Sequence, residues 1–203
     1  MKRLILAVAV LVGFGTNVAH AQSKVSFGAK AETNMSNFIL DDMTGYDSEF
    51  GVGAGVGGFM KIDLGNYIAI QPELMFNWHN SKIKQNGVKS DFEYWGVELP
   101  VYAMGQLSLE NGDRAYVGIG PWLQIGFSAK NKTADVNYYK KTNGARVMQP
   151  GEVGAAALIG YEFAFGMQIN ASYKYGFLNQ LDDPVGDAFM SNQIITFGIG
   201  YRF

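Results

Sequence analysis

The sequence predicts an all-β protein, an eight-stranded antiparallel up-and-down transmembrane β-barrel that is preceded by a cleavable signal peptide. Three observations predict this fold. The N-terminus has the parts of a secretion signal, eight later segments alternate apolar and polar residues, and the connections between them alternate in length. The 26 Gly, 14 Phe and 11 Tyr against 5 Pro also favour strands over helices.

The N-terminal residues have the composition of a secretory signal peptide. Two basic residues precede an apolar run over residues 4–14, which is shorter than the roughly 20 residues that a transmembrane helix needs. Ala19 and Ala21 then occupy the positions that a signal peptidase accepts. We therefore expect residues 1–21 to be removed and residues 22–203 to form one outer-membrane β-barrel domain.

Charge and cysteine content exclude several classes of function. Loss of Lys2 and Arg3 leaves 14 of the 16 basic residues against 18 acidic ones, a net charge near −4 that gives no basic surface for nucleic acid. The chain has no cysteine, which excludes disulfides, thiolate metal sites, a cysteine nucleophile and a lipid anchor on an N-terminal cysteine. We expect neither a cofactor nor a metal ion.

Strict alternation of apolar and polar residues marks the strands. In the third segment, every second residue from Ile68 to Trp78 is apolar or proline, and Gln71, Glu73 and His79 lie on the opposite face. The sixth segment alternates least clearly. The eight segments cover residues 24–34, 51–64, 68–79, 95–103, 117–128, 152–165, 167–175 and 195–203.

Short and long connections follow each other along the chain. The short ones are Gly65-Asn66, Leu109 to Arg114 and Ala164 to Gly166; the long ones are Met35 to Glu49, Asn80 to Lys89, Lys130 to Pro150 and Leu178 to Ser191. Bacterial barrels have short periplasmic turns and long external loops. With an even number of strands, both ends of the mature chain should lie on the periplasmic side.

The composition of the polar face predicts that it points into the lumen. A soluble lipocalin-like barrel would show the same alternation, but its solvated outer face would carry more charge. Here the polar face is mostly Gly, Ala, Gln, Asn and Ser, which fits the narrow lumen of eight strands. Its charges nearly balance: Lys30, Lys61, Lys174 and Arg202 against Glu32, Asp63, Glu73, Glu98 and Glu162.

Aromatic residues on the apolar face collect near the strand ends, as in the two girdles of membrane barrels. The external set is Trp78, Trp95, Phe127 and Tyr175, and the periplasmic set is Phe27, Tyr161, Phe163, Tyr201 and Phe203. The chain stops at Phe203, which is similar to the C-terminal signal read by the outer-membrane assembly machinery. We expect that machinery and outer-membrane lipid as partners, and a monomeric barrel.

Several segments resemble the PorT-like outer-membrane β-barrel domain family over essentially the whole mature chain. Gly96-Val97-Glu98-Leu99-Pro100-Val101-Tyr102 is similar to a strand with a Glu-apolar-Pro core, and Tyr116 to Trp122 to the aromatic-Gly-Pro strand that follows. Weaker matches are Glu152 to Gly154, Gly160 to Phe163 and Tyr173 to Gly176. The resemblance implies a small outer-membrane barrel, and a role in protein secretion by analogy with the named type.

Three motifs have a structural explanation beside a functional one. Gly53 to Gly58 matches G-x-G-x-x-G, but it lies inside an alternating strand rather than at a strand-to-helix turn. We therefore expect these glycines to lie on the lumen face of the strand and to leave room for large inward side chains. His79, with Ser81 or Ser90, could act as the general base of a lipid-modifying enzyme, although no nucleophile elbow accompanies it.

The third motif is acidic. Asp41, Asp42, Asp47 and Glu49 in the first long loop, and Asp182, Asp183 and Asp187 in the last, lack the ligand spacing of a calcium site. We expect these carboxylates to be solvated, and we assign no catalytic, cofactor-binding or metal-binding residue.

The expected function is structural or interactive rather than enzymatic. An eight-stranded barrel with a packed polar lumen leaves no wide pore, so the external loops, above all Lys130 to Pro150, should contact a partner or surface. Adhesion and secretion-associated roles are both open, and a lipid-modifying enzyme with a rim site near His79 is the alternative.

Overall fold

The computed structural model describes residues 24–41, 45–85, 88–131, 136–140, 147–181 and 187–203. The predicted signal peptide, residues 1–21, lies outside these ranges. Within them, no helix is long and apolar enough to cross a membrane.

The described residues form nine strands. These are β1 (Lys24–Asp41), β2 (Tyr46–Asp63), β3 (Ile68–Gln85), β4 (Val88–Ser108), β5 (Arg114–Asn131), β6 (Val136–Asn137), β7 (Gly151–Glu162), β8 (Met167–Gly176) and β9 (Phe189–Arg202). Eight of them close into a barrel; the two-residue β6 only pairs with the outer end of β5. The predicted eight-stranded antiparallel barrel is confirmed.

Each barrel strand pairs with its neighbours along the chain, and β1 pairs with β9 to close the ring. The seam runs from Gly28 opposite Arg202 to Asp41 opposite Phe189. The Phe203 amide adds a further hydrogen bond to the Phe27 carbonyl at 2.8 Å. No sheet edge is left open at the seam, which a bilayer requires because unpaired backbone groups in hydrocarbon cost several kcal/mol each.

The three short turns lie at one end of the barrel, together with Lys24 and Phe203, as predicted. In the first of them Gly65 has φ +128°, a conformation that favours glycine, and the Leu64 amide donates to the Ile68 carbonyl at 2.9 Å. We refer to this end as periplasmic.

The faces follow the predicted parity through the middle of every strand. On β3, Gln71, Glu73 and His79 are buried, whereas Ile68 and Leu74 are 57% and 56% exposed. The large apolar side chains therefore cover the outside of the barrel and the polar ones fill its lumen, as a transmembrane barrel requires.

Two predicted external loops are strands instead. Most of residues 35–49 belongs to β1 and β2, and most of residues 80–89 belongs to β3 and β4, so the loop assignments there were wrong. β1, β2, β3 and β5 have 18 residues each and β4 has 21, whereas β7, β8 and β9 have 12, 10 and 14. About 9 to 11 residues cross a bilayer, so the first five barrel strands project well beyond it.

Two β-bulges interrupt the register near the external boundary. One lies on β2 between Phe50 and Ala54, and the other lets Trp95 and Gly96 of β4 face Ser128 and Gly126. The extra residue on β5 reverses the parity beyond it, because one strand gains a residue that its partner lacks. Ser128 was therefore wrongly predicted on the lumen face, since the buried Ala129 takes the inward position.

Candidate functional site

A buried ion cluster fills the middle of the lumen and is centred on Glu98. Lys174 Nζ lies 2.5 Å from Glu98 Oε2 and 3.4 Å from Glu32 Oε1. His79 Nε2 lies 2.6 Å from Glu98 Oε1, and Trp122 Nε1 donates to Glu98 Oε2 at 3.1 Å. All of these side chains are essentially inaccessible.

The same cluster continues to the neighbouring strands through Lys30. Its Nζ lies 2.9 Å from Glu73 Oε2 and 3.4 Å from Glu32 Oε2, and Gln71 donates to the other oxygen of Glu73 at 2.9 Å. Lys30, Lys174 and His79 thus face Glu32, Glu73 and Glu98. Such mutual pairing offsets the cost of burying charged side chains in the lumen.

A second ion cluster lies toward the periplasmic end around Glu162. Lys61 Nζ is 3.1 Å from Glu162 Oε2, Arg202 Nη2 is 2.8 Å from Glu162 Oε1, and Arg114 Nη1 is 3.6 Å from the same oxygen. Arg114 Nη1 also lies 3.6 Å from Asp63 Oδ2. The inward charges predicted from the alternation therefore meet in two clusters. Arg114, which the alternation did not place on the inward face, belongs to the second one.

Large side chains close the lumen between the two clusters. Trp122 and Tyr102 are fully buried there, and Gly118, Gly120 and Gly154 give them room: a Cβ on Gly118 would lie 3.3 Å from Tyr102 Cβ, and one on Gly154 2.9 Å from Trp122 Cε3. This packing supports the predicted filled lumen, since an eight-stranded interior is just wide enough for side chains.

The glycines of the G-x-G-x-x-G match lie within β2, as the strand interpretation predicted. A Cβ at Gly53 would come within 2.1 Å of the Trp78 carbonyl oxygen, and one at Gly57 within 2.1 Å of the Leu74 carbonyl oxygen. These glycines let β2 and β3 approach closely, which explains them without a nucleotide.

The structure does not bring His79 together with a serine. Its Nδ1 contacts Asn34 Oδ1 at 2.9 Å, its Nε2 contacts Glu98, and its ring stacks on Tyr94 at 4.5 Å. The Ser81 hydroxyl donates to the Ser36 carbonyl at 3.1 Å instead. Since both ring nitrogens are engaged and the ring is fully buried, this geometry gives no route to a substrate.

The acidic residues predicted to be solvated are partly described. Asp41 is exposed, and Glu49 forms an ion pair with Lys84, whose pKa this hydrogen-bonded carboxylate raises. Asp42, Asp182 and Asp183 lie outside the described residues. Among all the described residues, Asp41 and Glu49 included, no three His, Asp or Glu side chains are grouped so that they could hold a metal ion.

The outer ends of the strands form a projection beyond the membrane, here called the external extension: residues 36–41, 46–52, 80–85, 88–94 and 128–131. Polarity inverts at its base. On β3 the outward residues change from apolar at Trp78 to polar at Lys82, and the inward residues change from polar at Ser81 to apolar at Ile83. A barrel needs an apolar exterior in lipid and an apolar interior in water, so the inversion marks the membrane boundary.

Aromatic residues lie at both boundaries of the apolar exterior. Trp95 contacts Trp78 and Phe76, with ring centroids 6.1 and 5.7 Å apart, on the external side. Phe163 contacts Tyr161 at 5.1 Å on the periplasmic side. These are the two predicted aromatic girdles.

Comparisons with known proteins agree with this architecture. The family model described as "Outer membrane protein beta-barrel domain" matches residues 20–182. A comparison with curated proteins finds no match.

Two solved structures illustrate the shared fold. Neisserial surface protein A (NspA) is 12% identical, with a TM-score of 0.52 over 89% of this chain and 99% of that one. The outer membrane protein OprG from Pseudomonas aeruginosa is 14% identical, with a TM-score of 0.54 over 90% and 96%. At these identities the similarity concerns the fold alone.

Proposed function

We propose that this chain, which belongs to the family of outer membrane protein β-barrel domains, binds a partner at the bacterial surface through its external extension. It is a barrel of the outer membrane of Gram-negative bacteria. The proposal concerns what the barrel does there, and it makes the protein an interaction barrel rather than an enzyme or a diffusion pore.

The observation that carries the proposal is the continuation of paired strands beyond the membrane. On β4 the external extension covers residues 88–94, and these seven residues add roughly 23 Å along the strand at about 3.3 Å per residue. A hydrogen-bonded sheet loses less conformational entropy on binding than a flexible loop does. The external extension is therefore suited to contact a partner with little ordering.

The surface of the external extension carries charges of both signs beside the exposed side chains of Tyr46, Phe50 and Val52. Lys82 lies opposite Asp91 and Asp47 lies opposite Lys84 in the strand register, and Lys130 is exposed at the end of β5. Complementary charges steer association and fix register more than they add affinity. A partner with a polar surface, either a protein or a cell-surface polymer that carries charges of both signs, would suit these charges better than an apolar partner.

Photo-crosslinking in intact cells tests the proposal. A photo-reactive amino acid at Lys82 or Lys130 should give a crosslinked product with a protein or surface polymer, while the same residue at Glu110, in the periplasmic turn, is the matched control. Products from Glu110 alone, or the same products from all three positions, would contradict a partner at the external extension.

A secretion-associated role is the narrower form of the same proposal, and the PorT-like resemblance of Gly96 to Tyr102 supports it by analogy. Accumulation of an undelivered secreted protein in a deletion strain would favour secretion over adhesion. The lipid-modifying alternative has less support, because His79 contacts Asn34 and Glu98 rather than a serine. Loss of a lipid modification in a His79→Ala strain would favour it.

We further propose that the barrel is monomeric, surrounded by outer-membrane lipid, and delivered by the assembly machinery through the strand that ends at Phe203. The exposed outer face of β9, with Phe197, Ile199 and Tyr201, supports both the lipid contact and the recognition signal. Nucleic acid is not among the proposed partners, because the mature chain is acidic.

A further inference from the structure

The external extension, together with Met148, Leu181 and Met190, lines a partly open apolar cavity of about 260 Å³, here called the outer cavity. Its walls include Leu40, Ile83, Phe92, Met148, Leu181 and Met190. They come from β1, β3, β4, β9 and the two segments that follow β6 and β8. The outer cavity therefore lies inside the ring of strands, on the external side of the membrane boundary.

The segments that follow β6 and β8 are hydrogen-bonded to each other. Met148 and Leu181 form an isolated β-bridge, and the Gln149 amide donates to the Gln180 carbonyl at 2.8 Å. The Gly126 amide donates to the Pro150 carbonyl at 2.7 Å and holds the first segment to β5. Backbone hydrogen bonds therefore hold this wall of the outer cavity in place.

Aromatic rings form the base of the outer cavity. Phe92 meets Phe38 edge to face at 5.3 Å and stacks on Tyr138 at 5.7 Å. Tyr94, the next inward residue on β4, is buried beneath them and stacks on His79. The cavity therefore ends above the Glu98 ion cluster and does not continue as a channel.

The lining selects the chemistry of a ligand. None of the described residues that line the outer cavity is charged, and its polar members are Ser90, Asn131, Tyr46 and Tyr138. Asn131 already donates to the Tyr138 hydroxyl at 3.1 Å. A charged molecule would lose its hydration without gaining an ion pair, whereas a neutral apolar molecule would only exchange water for hydrocarbon contacts.

The volume sets the size of the ligand. An apolar cavity of roughly 150 Å³ accommodates benzene, so about 260 Å³ corresponds to fewer than two such rings side by side. We propose that the outer cavity binds a neutral apolar molecule of one or two fused rings, or an acyl chain of similar volume. This site is separate from the charged outer face that the proposed function uses.

Methionine methyl groups report the site directly. In the mature protein in lipid nanodiscs, with ¹³C-labelled methionine methyls, naphthalene should shift the signals of Met148 and Met190 saturably. Met75 and Met104 are buried in the lumen below and serve as controls, and Met35, 38% exposed on the outer face, reports naphthalene dissolved in the bilayer. The controls should show no saturable shift.

A filled cavity should bind more weakly. Ser90→Phe places a ring in the outer cavity and should weaken naphthalene binding about tenfold or more, because the free volume is lost. Ser108→Phe is the matched control: Ser108 is exposed at the periplasmic end of the same strand, and the change should leave binding unaltered. Since the first measurement uses the unaltered chain, the test does not depend on the variant folding.

A second arm separates the sources of the ligand. The second measurement uses nanodiscs that contain a phospholipid with a spin label near the end of its acyl chain. If lipid acyl chains enter the site, the spin label should broaden the methyl signals of Met148 and Met190, and added naphthalene should reverse this broadening. Naphthalene shifts without such broadening would assign a free apolar molecule. Absence of any saturable shift at Met148 and Met190, or equal shifts at Met75 and Met104, would overturn the proposal.

Discussion

Replacing Lys174 by methionine should destabilise the barrel strongly. Its ammonium group is buried, 2.5 Å from Glu98 Oε2 and 3.4 Å from Glu32 Oε1. The change leaves Glu32, Glu73 and Glu98 facing only Lys30 and His79. Breaking a buried ion pair by removing one partner costs about 3 to 5 kcal/mol, because the remaining charge stays buried without compensation.

A second substitution should recover much of that loss. Glu98→Gln added to Lys174→Met removes the unpaired charge and keeps an amide oxygen that can accept from Trp122 or His79. Replacing both members of a buried pair is often nearly neutral, so the double variant should be more stable than Lys174→Met by about 2 kcal/mol. This recovery is expected only if the Lys174 ammonium and the Glu98 carboxylate are in contact. The register of neighbouring strands does not by itself place these two groups together.

Urea unfolding in phospholipid vesicles, followed by tryptophan emission, measures these free energies. Lys130→Met is the control, because Lys130 is exposed on the external extension and loss of its charge should change stability by only about 0.5 kcal/mol. A double variant as unstable as Lys174→Met, or a control equally unstable, would refute the argument from pairing.

Three further predictions concern other parts of the barrel. Ile70→Arg on the lipid-facing side of β3 should lower the free energy of unfolding by roughly 2 to 4 kcal/mol in the same assay. Gln71→Ser, which removes one inward hydrogen bond, should lower it by about 1 kcal/mol. Equal losses would show that the lipid-facing and lumen-facing sides are wrongly assigned. Deleting Phe203 should lower outer-membrane levels measured by fractionation and immunoblotting at native expression, and normal levels would argue against an assembly signal. Asp113 accepts from the Tyr161 hydroxyl at 2.6 Å, which holds its pKa below the usual range, so the stabilisation is present at neutral pH and lost as pH falls through that lowered pKa. Asp113→Asn should therefore lower stability at neutral pH and flatten its decline in acid; a parallel decline in both proteins would contradict the link.

The amino-acid pattern predicts the barrel, its strand number and its faces because each strand meets only two environments within the membrane. A period of two then identifies both faces at once, and it places Lys30, Glu73 and Glu98 in the lumen before any coordinates are known. The pairing of Glu98 with Lys174 is different, since it joins strands far apart in the sequence and depends on register across the ring.

The external extension could not be predicted by the same rule. Beyond Trp78 the outward residues become polar and the inward ones apolar, so the alternation of the membrane segment ends although the strand continues. The bulge opposite Trp95 also shifts the parity by one residue, which explains the misplaced Ser128. Arg114 was missed because it begins a strand, where alternation has no preceding residue to anchor it.

The seam between β1 and β9 has a consequence for the order of folding. Its partners are 148 to 174 residues apart, from Asp41 with Phe189 to Gly28 with Arg202, whereas Asp63 and Ala69 in the β2–β3 hairpin are six apart. The entropy of closing the longer loop exceeds that of the shorter by about 3 kcal/mol. Neighbouring hairpins should therefore assemble first, and the two terminal strands should meet last. Until they do, the curved sheet has two unpaired edges, so the nascent barrel needs protection from aggregation for as long as its final strand is undelivered.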